Sequence, residues 1–179
     1  MNTPTIHFVS FALLLLGALS ARADVTDTLT QRQLSLPGST WRLVLPKEDW
    51  VITKEQRRPG DTAVYYALAS QKRELAFSVY IDRTTACNSS AGCLNAAMNN
   101  PSYKDARELK KTEVGQFSVA SFFLDEPQGY PVKQAHLLAE AYLDGCWFDI
   151  HISKTAKDRP DAATLFELLK SVTVSVNER

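Results

Sequence analysis

The sequence predicts an α+β fold, a single domain in which a central antiparallel β-sheet carries two main helices. Most of the chain after Leu34 alternates apolar and polar residues with a period of two, which is typical of strands. Two segments instead carry apolar residues at helical spacing, and turn-forming Pro, Gly and Asp residues separate the elements. The 179 residues are 45% hydrophobic and 22% charged, so the composition favours a folded chain over a disordered one.

The amino-terminal residues have the pattern of a cleaved signal peptide. An apolar run from Phe8 to Leu19 precedes Ala21 and Ala23, the small-residue motif that signal peptidase recognises. The run is shorter than the about 20 apolar residues that span a bilayer. We therefore expect residues 1–23 to be removed and residues 24–179 to form the domain. The mature chain is then periplasmic or secreted and has no transmembrane segment.

The remaining elements follow in chain order. Strands are predicted over residues 34–36, 41–45, 50–54, 62–69, 74–81, 109–114, 117–124 and 172–176. Helices are predicted over residues 90–99, capped by Ser89 or Ser90, and over residues 160–171, with Pro160 near the first position. Residues 125–131 form a polar loop.

The strongest local signal is a hairpin of residues 133–142 and 146–153. Asp144-Gly145 is the favoured pair for a two-residue type I′ turn, and that turn pairs Leu143 with Cys146. The resulting register places four chemically active side chains on one face of the hairpin, and they are His136, Glu140, Asp149 and His151.

These four side chains have two interpretations. Histidine and carboxylate groups are plausible zinc or copper ligands, so the face is a candidate metal site. Alternatively the face is a polar surface on which Asp149 or Glu140 satisfies His151. Since Glu140 and Asp149 lie directly opposite each other, a proton or a cation is expected between them.

The cysteines predict one disulfide. Cys87 and Cys93 are close in sequence, and an exported chain can oxidise them, whereas Cys146 is expected to remain a buried thiol. A redox or metal role would need a CxxC motif or a third clustered ligand, which the sequence lacks.

No catalytic residues and no cofactor are predicted. Asp149, His151 and Ser153 lie in line on one strand face, which prevents the sequential hydrogen bonds of a catalytic triad. The chain has no phosphate loop and no dinucleotide-binding motif. Its 20 basic and 20 acidic residues balance, which argues against a nucleic-acid partner.

The order of elements resembles the PsbP-like family. The likeness is carried by "LSLPGSTWRLVLPKEDWVI", by the helix after a long hairpin, and by "AEAYLDGCWFDIHISK" leading into "DAATLFELLKSVTV". The resemblance implies an α/β/α sandwich around a central antiparallel sheet. It also implies a binding or assembly module, and it brings no shared catalytic residues.

These observations together predict an exported, non-enzymatic binding protein of the cell envelope. Its expected partner is another envelope or secreted protein, which docks on a sheet face or on the loop 125–131, in an assembly or an immunity (inhibitor) role. The alternatives are a metal-binding protein that uses His136, Glu140, Asp149 and His151, and a carrier of a small ligand.

Overall fold

Strands dominate the structure of this protein, a computed structural model that describes residues 25–83 and 87–176. Within those residues the regular structure consists of eleven strands, two short α-helices and two 3-10 turns, and strands make up 54% of the described residues. The predicted signal peptide lies outside the described residues.

The larger sheet has seven strands, all antiparallel to their neighbours. In spatial order these are β4 (Val51–Arg57), β5 (Ala63–Ser70), β6 (Leu75–Asp82), β10 (Cys146–Ala156), β9 (Lys133–Leu143), β8 (Phe117–Asp125) and β7 (Arg107–Val114). Two meanders, β4–β5–β6 and β7–β8–β9–β10, are therefore joined by the pairing of β6 with β10.

The smaller sheet has four strands from the two ends of the described chain. In spatial order these are β1 (Val25–Asp27), β2 (Gln31–Ser35), β3 (Trp41–Pro46) and β11 (Thr173–Val176). The last strand, β11, pairs with β3, with Val174 opposite Leu43. This pairing joins two strands that are far apart in the sequence.

The two sheets share one hydrophobic core. Its largest fully buried side chains come from both sheets, and they include Leu34, Leu43, Leu45, Tyr66, Phe77, Phe117 and Phe148. The hydroxyl of Tyr66 on β5 donates to the carbonyl of Ser35 on β2 at 3.1 Å, which fixes one sheet against the other. Helix α2 (Ala163–Lys170) packs into the same core through Leu165, Leu168 and Leu169.

Helix α1 (Ser90–Met98) lies on the opposite face of the seven-stranded sheet. Its Leu94 packs with Phe122 and Leu138 in a second, smaller apolar cluster. The backbone N–H of Tyr142 on β9 donates to the Ser90 hydroxyl at 3.0 Å, which anchors the start of the helix to the sheet. Ser89 is the N-cap, and its hydroxyl accepts from the Gly92 N–H at 3.1 Å.

The predicted α/β/α sandwich with two main helices is wrong, because the protein is a β-sandwich. The two helices have only nine and eight residues. The predicted strands 34–36, 41–45 and 172–176 pair with one another rather than with the central sheet, and they form most of the second layer. Alternation of apolar residues identifies a strand but leaves its pairing partner open. The α/β/α architecture implied by the PsbP-like resemblance is corrected with it.

The predicted hairpin is confirmed in full. Asp144 and Gly145 both have positive φ, 45° and 78°, as a type I′ turn requires. Leu143 pairs with Cys146, and the register continues without a shift to Lys133 and Ala156. The hairpin therefore sends alternate residues into the sandwich core and toward the α1 face.

Candidate ligand-binding site

The four side chains singled out by sequence all lie on the α1 face of the hairpin, but they form two separate pairs. Glu140 is directly opposite Asp149, whereas His136 and His151 are diagonal neighbours, since their direct partners are Ser153 and Leu138. We call Glu140 and Asp149 the carboxyl pair, and His136 and His151 the histidine pair.

The histidine pair is joined by a hydrogen bond. Nδ1 of His136 lies 2.8 Å from Nε2 of His151, and Nε2 of His136 lies 3.1 Å from Oε1 of Gln134. The Phe122 ring stacks on His136 at a centroid distance of 5.0 Å, and Tyr103 meets His151 edge-on at 6.3 Å. The interpretation in which Asp149 or Glu140 satisfies His151 is therefore replaced by a bond to the other histidine.

Both imidazoles are neutral at neutral pH. Burial, with a smaller contribution from the nearby His151, lowers the pKa of His136 to about 3. Burial lowers the pKa of His151 to about 4. Desolvation penalises the charged form of an imidazole, so each ring keeps one N–H donor and one lone pair.

The carboxyl pair holds a proton. Burial, followed by the charge of Asp149, raises the pKa of the fully buried Glu140 to about 9. The pKa of Asp149 is raised to about 6, because burial raises it by more than the hydrogen bond from Glu140 lowers it. The indole N–H of Trp147 donates to Oε2 of Glu140 at 2.6 Å. Oε1 of Glu140 is buried and has no hydrogen-bond partner among the described residues.

The predicted metal site stays a prediction. Within residues 25–83 and 87–176, no three His, Cys, Asp or Glu side chains are arranged to hold a metal ion. The proton between Glu140 and Asp149 relieves the like-charge repulsion that the sequence predicts, so the carboxyl pair does not require a cation.

The histidine pair lies in the wall of a cavity of about 640 Å³, which we call the histidine pocket. The pocket lies between residues 101–105, which follow α1, and residues 124–129, which comprise the end of β8 and the turn after it. Its lining also includes Gln134 on β9. The pKa of Tyr103, which also lines the pocket, is raised by burial and then by the charges of Asp149 and Glu140.

Sequence reasoning missed three members of this site. Gln134 is two residues before His136 on one strand, so the period of two could have placed both side chains on the same face. Phe122 is in register with His136 across β8 and β9, a long-range pairing that sequence alone leaves open. Tyr103 belongs to a short 3-10 turn, Pro101–Tyr103, which carries no hydrophobic period.

The predicted disulfide is confirmed. Cys87 and Cys93 are bonded, with Cα atoms 5.1 Å apart, and Cys146 is a buried free thiol. The bond ties the chain before α1 to the middle of the helix, on the face that carries both pairs. A disulfide is compatible with an extracellular or periplasmic protein.

A second cavity of about 680 Å³ lies between α2 and β7. The Arg159 guanidinium stacks 3.8 Å from the centroid of Phe123 and donates to Glu108 at 2.6 Å. Because this cation already has a carboxylate partner, the histidine pocket is the better candidate for ligand recognition.

Fold and site together define a β-sandwich with a pocket walled by neutral histidines. No protein-family model matches the chain, and no curated protein matches it either. Among the described residues, no helix is long and apolar enough to cross a membrane.

Proposed function

We propose that the chain is a non-enzymatic binding protein that acts outside the cytoplasm and recognises a small ligand in the histidine pocket. The observation that carries this proposal is a cavity of about 640 Å³ whose wall holds two hydrogen-bonded, neutral imidazoles. Concave sites with apolar walls and a few convergent polar groups are the usual form of small-molecule sites.

Binding is favoured over catalysis by the partners of the two histidines. Their described hydrogen bonds run to each other and to Gln134, and none of these bonds joins an imidazole to a hydroxyl nucleophile or an orienting carboxylate. Acid–base catalysis at neutral pH also favours a group whose pKa is near 7. The pKa values of His136 and His151 are about 3 and about 4.

Action outside the cytoplasm is supported by the disulfide and by the sequence of residues 1–23. Disulfides persist in oxidising compartments and are rare in the cytosol of most organisms. We include in the same proposal the predicted partner, an envelope or secreted protein with an assembly or immunity role. This partner would bind the protein when its pocket is occupied.

A fragment screen by NMR tests this function on protein produced from the complete 179-residue sequence. We expect the fragments that bind to perturb the resonances of Tyr103, His136 and His151. Ser102→Trp, which adds bulk at an exposed position in the pocket lining, should abolish these shifts. The matched control is Thr173→Trp, at an exposed position on β11. Fragments that bind equally well to Ser102→Trp, or only elsewhere, contradict the proposal.

A further inference from the structure

The hydrogen bonds around the histidine pair have a fixed direction. The side-chain amide of Gln134 donates from its nitrogen to the Thr155 hydroxyl at 3.0 Å, which leaves its carbonyl oxygen toward His136. With the Gln134 amide in this orientation its carbonyl oxygen accepts, so Nε2 of His136 carries the proton. In a neutral imidazole the other nitrogen, Nδ1, then carries a lone pair.

The direction continues to the second ring. Since Nδ1 of His136 accepts, the facing Nε2 of His151 must donate across the 2.8 Å between them. Nδ1 of His151 is then an unprotonated acceptor. No described residue donates a hydrogen bond to that atom, so the chain Thr155–Gln134–His136–His151 ends in a lone pair that lacks a donor.

The charged side chains that line the pocket indicate which charge a ligand should carry. The lining contains one cation, Lys104, and three anions, Asp105, Asp125 and Glu126. Arg107 forms an ion pair with Asp125 at 2.8 Å. The remaining charges of the lining are the two anions Asp105 and Glu126 and the one cation Lys104, so they are negative on balance. The remaining lining includes the apolar or aromatic side chains of Pro101, Tyr103, Leu124 and Pro127.

We propose that the histidine pocket recognises the protonated amino group of a small organic ligand, which donates to Nδ1 of His151. This inference rests on the function proposed above and names the ligand class. The apolar part of the ligand lies against Tyr103 and Leu124, and the acidic side chains attract its charge.

A metal ion fits this geometry less well. Two imidazole nitrogens bound to one tetrahedral zinc ion at about 2.0 Å are separated by about 3.3 Å. The facing nitrogens of His136 and His151 are 2.8 Å apart and share a proton, so a bridging metal would have to open the pair.

Three probes of matched shape test the ligand class, and they are phenethylamine, 2-phenylethanol and phenylacetate. Binding is measured at pH 7 by calorimetry and by NMR on protein produced from the complete sequence, with zinc chloride as a fourth titrant. We expect phenethylamine to bind in the pocket at least tenfold more tightly than the alcohol, and phenylacetate not to bind.

Two variants of His151 locate the recognition atom. His151→Leu removes the acceptor and should weaken phenethylamine binding at least tenfold. His151→Gln keeps an amide donor for His136 and a carbonyl acceptor for the amine, so we expect it to lose less than threefold. Thermal melts of both variants show whether each is folded under the binding conditions.

Nitrogen-15 NMR spectra of the imidazoles, recorded without any ligand, measure which nitrogen of each ring carries the proton. We expect both rings in the Nε2–H form. An Nδ1–H form of His151, tighter binding of phenylacetate, or zinc binding to the histidine pair without amine binding overturns the inference and leaves the proposed function standing. If no probe binds, the inference fails, and the proposed function fails only if the fragment screen also leaves the pocket empty.

Discussion

Replacing Glu140 with glutamine is expected to stabilise the folded protein at neutral pH. Glu140 is fully buried and protonated in the fold, where its pKa is about 9, but it ionises near its ordinary pKa of 4.5 when the chain unfolds. A glutamine in the same place keeps an oxygen for the Trp147 indole and an N–H for Asp149. It has no proton to lose on unfolding.

The size of the gain follows from proton linkage. A raised folded-state pKa gives stability that is complete below pH 4.5 and is lost as pH rises to about 9. Each pH unit in that window costs about 1.4 kcal/mol. At pH 7 the wild type has therefore lost at most about 3.5 kcal/mol relative to the glutamine variant, and the difference grows further toward pH 9.

Urea unfolding of both proteins at pH 5, 6, 7 and 8, followed by tryptophan fluorescence, measures this difference. The matched control is Glu113→Gln, which removes an exposed carboxylate that accepts from Ser118 at 3.0 Å. The control should change the free energy of unfolding by less than about 1 kcal/mol at every pH. If Glu140→Gln destabilises the protein at pH 7, or if the difference is independent of pH, Glu140 is ionised in the fold and the assignment of its proton is wrong.

Three further outcomes are expected. Replacing Cys87 and Cys93 together by serine should lower the free energy of unfolding by about 2 kcal/mol, from the loop entropy of so short a ring, in thermal and urea melts. The imidazole resonances of His136 and His151 should not shift between pH 8 and pH 5.5, because burial lowers both pKa values to about 4 or below. The chain purified after export should begin at Asp24 when its amino terminus is sequenced.

Each of these outcomes has a clear opposite. A reductant that lowers the melting temperature of the serine variant as much as that of the wild type argues against a stabilising disulfide. If either histidine titrates near pH 6.5, as free histidine added as a reference does, the histidine pair is not buried in the way described above. An exported product that retains residues 1–23 contradicts the predicted cleavage.

The sequence could predict what depends on neighbouring residues. The hairpin register follows from Asp144-Gly145 alone, because a two-residue turn fixes every pair after it, and the disulfide follows from the closeness of Cys87 and Cys93. The second sheet could not be predicted in this way. Its closing pair, Val174 opposite Leu43, joins strands from the two ends of the chain, and a period of two does not say which strands meet.

The candidate site was likewise predictable only in part. Sequence placed His136 and His151 on one face but expected Asp149 or Glu140, rather than His136, as the partner of His151. Diagonal side chains are still within reach of each other when they are long. The wall formed by Tyr103 and Phe122 depends on how α1 and β8 pack, which requires the fold.

Helix α1 links the redox state of the protein to its protons. A helix of nine residues does not persist alone in water, so its place on the sheet depends on its contacts. These are the packing of Leu94, the Cys87–Cys93 bond and the hydrogen bond between Ser90 and Tyr142. Glu140 lies beneath that cover and keeps its proton because water is excluded. If reduction of the bond loosens the helix, water reaches Glu140 and its pKa falls toward its ordinary value. Reduction at neutral pH is then accompanied by proton release from this carboxyl group, which offsets part of the two protons that the new thiols take up. The reduction potential of this disulfide should therefore fall less steeply with pH than that of a disulfide without such a neighbour.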